Sequence, residues 1–246
     1  MNAPIQYVAE PQHVREVSLV GSTDLDFWKT RLGDEELVPV EQNGKSQLLI
    51  IAADMKFMGV RFQEISFSIL VHHKDSAHWQ RAAYLVQAFN SRRLFAFSER
   101  ILFRTPYYFG KVNVSVTAPI SMQLTLGGVT IFRAQMGNDE RTANRAPSRC
   151  GQDAWEGPVF LPCQNRSVAD GRLFFGRIRG YTQTYPFLNS SDIITIRPSP
   201  SAEIFQRLVD SHFVAEEWSV RPDATHAKSK TYTRRVALPA SIKADS

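Results

Sequence analysis

The sequence predicts one α+β domain in which strands dominate. Three features of its 246 residues point there: short runs in which apolar and polar residues alternate, turn pairs such as Asn43-Gly44 and Gly127-Gly128 between such runs, and no strand-helix alternation of the kind a doubly wound sheet needs. With 43% hydrophobic residues the chain is long enough to bury a sizeable core, and barrels or sandwiches of this length commonly form one domain.

In chain order, the first thirty residues alternate weakly, and Ser22-Thr23-Asp24 before Phe27-Trp28 reads as a helix or turn start. Leu37 to Val40 and Ser46 to Ala52 read as two strands around Asn43-Gly44, a pair that tolerates the positive φ of tight hairpins. From Met58 to Val71 the alternation changes parity near Gln63-Glu64. Either a bulge there turns Glu64 inward or both neighbours point outward, and the pattern leaves the two open. Tyr84 to Phe89 fits a buried strand, and Asn90-Ser91 opens a helix that Thr105-Pro106 must end, because the residue before proline avoids the helical region. Tyr107 to Val116 is a strand, and Met122 to Arg133 is a hairpin. Residues 135–168 are polar enough to read as a long loop, suited to a lid. Leu173 to Tyr185 is a further strand, Ala202 to His212 a helix, Trp218 to Val220 a short strand, and residues 227–246 a flexible tail.

Composition removes several classes of function. The opening residues carry no apolar run of the signal-peptide kind, and no stretch approaches the ~18 apolar residues of a membrane helix, so a cytoplasmic protein with no membrane partner is expected. Cys150 and Cys163 lack metal-ligand spacing, and the adjacent His72 and His73 point to opposite faces of a strand, so no metal is expected. There is no GxSxG, phosphate-binding glycine loop or HExxH, and no cofactor is implied. The net charge of +5 comes from scattered residues, including Arg141, Arg145 and Arg149 in the loop and Lys228, Lys230, Arg234 and Arg235 near the end. Without interleaved aromatics for base stacking, these read as solvated cations, and nucleic acid is not expected as a partner.

The stretch Tyr84 to Val116 resembles acetoacetate decarboxylase-like proteins. The matching elements are the strand Tyr84 to Phe89, the helix from Ser91 to Phe103 with Arg100 near its end, Pro106, and the strand Tyr107 to Val116. The strand carrying Glu64 is similar to the one that supplies that family's cavity glutamate. The resemblance implies a closed antiparallel β-barrel of acetoacetate decarboxylase-like type with a few peripheral helices, a homo-oligomer, and a small oxo-acid or related carboxylate as ligand. Family decarboxylases form an imine through a lysine just after the proline, a chemistry that needs a lysine of depressed pKa. Here Tyr107 and Tyr108 follow Pro106, and a phenol forms no imine.

Four residues are the candidates for the site: Glu64, Arg100, Tyr107 and Lys111. Glu64 and Arg100 together orient and neutralise a small acid or enol, with a structural ion pair as the bland alternative. Tyr107 donates to a carbonyl oxygen in place of the lysine, or simply fills the barrel. Lys111 is the nearest following lysine, but four strand residues put it roughly 13 Å further along than Tyr107. The expected function is a small-carboxylate binder acting as a lyase without imine chemistry. The alternative is a non-catalytic module whose barrel is filled by side chains.

Overall fold

A computed structural model of the chain describes residues 5–74, 82–138, 153–163 and 171–234. Seven strands close into a barrel: β1 (Gln12–Asp24), β2 (Lys45–Phe57), β3 (Val60–His73), β4 (Ala82–Asn90), β5 (Asp153–Leu161), β6 (Arg172–Gly180) and β7 (Val214–Ser229). They pair in that order, and β7 closes the ring by pairing with both β6 and β1. The barrel is mixed rather than wholly antiparallel. Directions cannot alternate around an odd-numbered ring, so one seam must be parallel, and it falls between β4 and β5, with Val159 opposite Ala83 and Phe160 opposite Tyr84.

Turn chemistry accounts for the hairpins. Asn43-Gly44 leads into β2, Met58-Gly59 joins β2 to β3, and Gly127-Gly128 joins Ser121–Leu126 to Val129–Gln135, each pair with positive φ at both residues. Leu37–Pro39 pairs with β3, at Leu37 opposite His73, and not with the strand after Asn43-Gly44. Helix α1 (Leu25–Leu32) starts where Asp24 accepts a hydrogen bond from the Phe27 amide at 2.8 Å. Helix α2 (Arg93–Leu102) follows Asn90, whose side chain accepts from the Arg92 amide at 2.8 Å. Helix α3 (Glu203–Asp210) lies outside the barrel.

A second sheet of Ile193–Ile196, Val129–Gln135, Ser121–Leu126 and Lys111–Ser115 packs with α3 against the outer wall. The main core sits there. Phe67 from β3 meets the rings of Phe89, Phe132 and Phe205 edge-on, at 6.4, 5.6 and 5.2 Å between centroids. Each of these buried rings contributes roughly 1.5–3 kcal/mol through burial alone.

Two expected loops are partly structured. Strand β5 interrupts the stretch 135–168, while residues 139–152, with Arg141, Arg145, Arg149 and Cys150, and residues 164–168 lie outside the described residues. The tail expected from residue 227 begins too early. Lys228 and Ser229 complete β7, Tyr232–Thr233 pairs with β6, and the buried Arg234 bonds to the Glu35 carboxylate at 2.7 Å and to the Leu161 carbonyl at 2.8 Å. Residues 235–246 lie outside the described residues. Among the described residues no helix is long and apolar enough to cross a membrane.

Candidate functional site

The barrel encloses a cavity of about 490 Å³, so its interior is not filled by side chains. Glu64 faces into it, but no bulge puts it there. The register between β2 and β3 is unbroken from Leu48 opposite Ile69 to Phe57 opposite Val60, and the irregularity between β3 and β4 falls at Phe67 and Ser68. What looked like a change of parity is a change of environment along a regular strand. Phe62 and Glu64 line the cavity, whereas Ile65, Phe67 and Ile69 belong to the outer core.

Tyr107 reaches the same space. Tyr107–Phe109 pairs in parallel with the end of β4, Tyr107 opposite Ala88, and the Tyr107 hydroxyl donates to Glu64 Oε1 at 3.4 Å. Thus Glu64 and Tyr107 come together, while the other two candidates lie elsewhere. Arg100 is exposed on α2, its guanidinium 4.9 Å from the centre of the Tyr108 ring, and Lys111 is exposed on the edge of the second sheet. Neither lines the cavity.

The residue before Arg100 does line it. Successive helical residues lie about 100° apart, so Glu99 turns inward as Arg100 turns out. The Thr105 hydroxyl donates to Glu99 Oε2 at 2.8 Å, and Lys228 from β7 forms an ion pair with the same oxygen. The Lys228 ammonium also sits 4.6 Å from the centre of the Phe174 ring, 4.8 Å from Phe103 and 5.5 Å from Tyr107. A second charged group lies where β1 meets β7, with its Arg221 and His226 lining the cavity. Glu16 is fully buried, pairs with Arg221, accepts from the Ser18 hydroxyl at 2.8 Å, and lies 2.6 Å from His226 Nε2.

These pairings decide the protonation of the carboxyls. Burial pushes Glu16 up, but the hydrogen bond and charge of His226, then Arg221 and Ser18, outweigh it and hold it at about 2. Glu64 has no such partner: among the described residues it forms no ion pair, and its one hydrogen bond is to Tyr107. Burial, then the charge of Glu99, raise it to about 7, against smaller lowering by Lys228, His226 and Tyr107. Burial and the carboxylates of Glu64 and Glu99 push the Tyr107 phenol well above its ordinary value, so it remains a donor. Two ion pairs, Glu99 with Lys228 and Glu16 with Arg221, thus border the cavity that the poised Glu64 carboxyl faces. Among the described residues, no group of three or more His, Cys, Asp and Glu side chains is arranged to hold a metal ion.

Lys228, His226, Arg221, Glu16 and Glu99 were not among the candidates from sequence. His226, Lys228 and Ala224 recur with period two, the signal that would have found β7. The apparent polarity of that segment hid it, because charged residues there face inward.

No family model and no curated protein matches the chain. Solved structures do. Acetoacetate decarboxylase from Legionella pneumophila subsp. pneumophila str. Philadelphia 1 aligns over 94% of this chain and 92% of its own, with a TM-score of 0.60 and 15% identity. An acetoacetate decarboxylase-like enzyme from Sphingomonas wittichii RW1 covers 94% of each chain, with a TM-score of 0.58 and 12% identity. The enduracididine biosynthesis enzyme MppR, solved with the condensation product of pyruvate and imidazole 4-carboxaldehyde, covers 91% of this chain and 87% of its own, with a TM-score of 0.56 and 11% identity. At such identities the likeness concerns fold, and it spans nearly the whole chain: the protein has the acetoacetate decarboxylase-like fold, in a sequence far diverged from its structural neighbours.

Proposed function

We propose that the barrel binds an oxo-acid and acts on it as a lyase through an enolate, without an imine. The observation that carries this reading is Glu64, a carboxyl raised to about 7 beside the Tyr107 hydroxyl in the barrel cavity. A group of that pKa exchanges protons efficiently near neutral pH. The ionised Glu64 takes a proton from the carbon next to the ligand carbonyl, and the electron pair moves onto the carbonyl oxygen. Tyr107 donates a hydrogen bond to that oxygen, and the Lys228 ammonium stabilises its charge. When the neighbouring carbon carries a hydroxyl, the electron pair returns to expel it, Glu64 gives back its proton, and water leaves. Arg221 supplies the cation for the ligand carboxylate, a role Arg100 is too remote to fill.

Lys228 acts here as an ammonium, because it is paired with Glu99. That MppR has been solved with pyruvate and with a pyruvate condensation product adds weight to an oxo-acid in this fold. The open cavity counts against a barrel plugged by aromatic side chains.

The test is exchange of the C3 hydrogens of 2-oxobutanoate in heavy water, followed by proton NMR. The expected result is catalysed exchange that rises with pH through about 7 and falls at least ~100-fold in Glu64→Gln. Tyr107→Phe should lose roughly 10- to 100-fold. Exchange unaffected in Glu64→Gln would overturn the assignment. Borohydride trapping of an adduct on Lys228 would replace the enolate mechanism with an imine.

A further inference from the structure

We infer that the oxo-acid taken by this barrel carries a long apolar tail, an alkyl or aryl chain that occupies the half of the cavity remote from α2. The inference rests on the oxo-acid reading above and adds the part of the substrate which that reading leaves open.

The strand registers carry it. Phe62 lies 4.9 Å from Phe95 of α2 between ring centroids, which fixes the α2 end of β3. Moving away from α2 along the inner face of β3, the side chains change from Glu64 to Ser66, Ser68 and Leu70. Neighbouring strands change in step. On β1, Glu16 is opposite Ala53, Ser18 opposite Ile51, and Val20 opposite Leu49. On β7, Arg221 is opposite Glu16 and Ser219 opposite Ser18. Along these strands the wall therefore changes from charged groups at the α2 end, where Phe57, Phe62, Phe95 and Phe103 also line it, through hydroxyl-bearing residues to aliphatic ones.

The aliphatic zone is not packed shut. Val20, Leu49 and Leu70 line the cavity and keep accessible surface there, although they stand on the inner wall. On the outer face of β2, Leu48 and Ile50 are fully buried. Apolar surface facing an open chamber is a cost that a ligand's apolar part relieves. The size agrees: about 490 Å³ lies in the range of roughly 300–1,000 Å³ found for pockets that enclose drug-sized ligands. A four-carbon acid anchored at Arg221 and Glu64 leaves the aliphatic zone empty.

The experiment is calorimetric binding of straight-chain 2-oxo-acids of four, six, eight and ten carbons, with the matched n-alkanols as a second series. Wild type is compared with Leu49→Phe and Leu70→Phe, two variants that shorten the chamber from within. The expected result is affinity rising about fourfold per methylene until the chamber is full. Each variant that folds should flatten the rise for the longer acids while leaving the four-carbon acid bound as in wild type. Equal affinity along the acid series, with the four-carbon acid bound, overturns the tail and leaves the oxo-acid reading standing. If alkanols bind with increasing length and no acid binds, the oxo-acid reading fails and takes the proposal with it. Binding of neither series overturns the proposal as well.

Discussion

On β3, Ile65, Phe67 and Ile69 point outward into a cluster of aromatic rings, while Glu64, Ser66 and Ser68, each one residue away, line the open interior. The same backbone thus carries a sealed face and a hollow one. The outer face is packed by the second sheet and α3 and supplies stability. The inner face holds charge in matched pairs around unfilled space. Residues on the two faces should therefore fail differently when altered: outward ones through unfolding, inward ones through the ligand and the protons.

The largest break in that comparison comes from Phe67→Ala, expected to cost about 3–5 kcal/mol in urea unfolding, since it removes the ring shared by Phe89, Phe132 and Phe205. A cost below 1 kcal/mol would mean the outer wall is not the stabilising face. Glu16→Ala tests whether the inner face is stable only through its pairs. It strands Arg221 and His226 and should cost roughly 3 kcal/mol, whereas an unchanged midpoint would show that the pair carries nothing.

The pH dependence has opposite signs for the two glutamates. Glu64 holds its proton more tightly folded, at about 7, than at its ordinary 4.5, so its contribution is present below 4.5 and disappears as pH rises to 7. Relative to wild type, Glu64→Gln should gain up to about 1.4 kcal/mol per pH unit across that window and no more above it. Glu16, held at about 2, contributes above 4.5 and loses that contribution as acid approaches 2. Paired unfolding curves from pH 4 to 8 test the first sign. A gap between wild type and Glu64→Gln that stays constant would show that Glu64 titrates normally. The smallest effect is Ser66→Ala, expected to stay within about 0.5 kcal/mol because its hydroxyl faces the cavity.

Much of this fold was legible in the sequence, because hairpin signals such as Asn43-Gly44 and Gly127-Gly128 are local. The parallel seam was not, since β4 and β5 are distant in sequence and meet at only two paired positions. Within the site, Glu64 and Tyr107 were readable because regular strands carry them. Arg100 was displaced by a single helical step that brings in Glu99 instead. Lys228 stayed hidden because hydrophobic alternation signals a strand with a wet face and a dry one, and β7 directs Arg221, His226 and Lys228 into the cavity.

The closing of the ring by β7 has a consequence for biosynthesis. Carboxylates come early in the chain, with Glu16 and Glu99, and the cations that pair with them come late, with Arg221 and Lys228. A nascent chain that has emerged only as far as α3 has neither a closed wall nor a charge-balanced pocket. Because β1 must wait for a partner some two hundred residues downstream, Trp218 opposite Leu19, the barrel is assembled through contacts of long sequence separation, which slow folding. The ribosome thus delivers the acids of this site well before their counterions, and the pocket acquires its chemistry in the same event that seals the barrel.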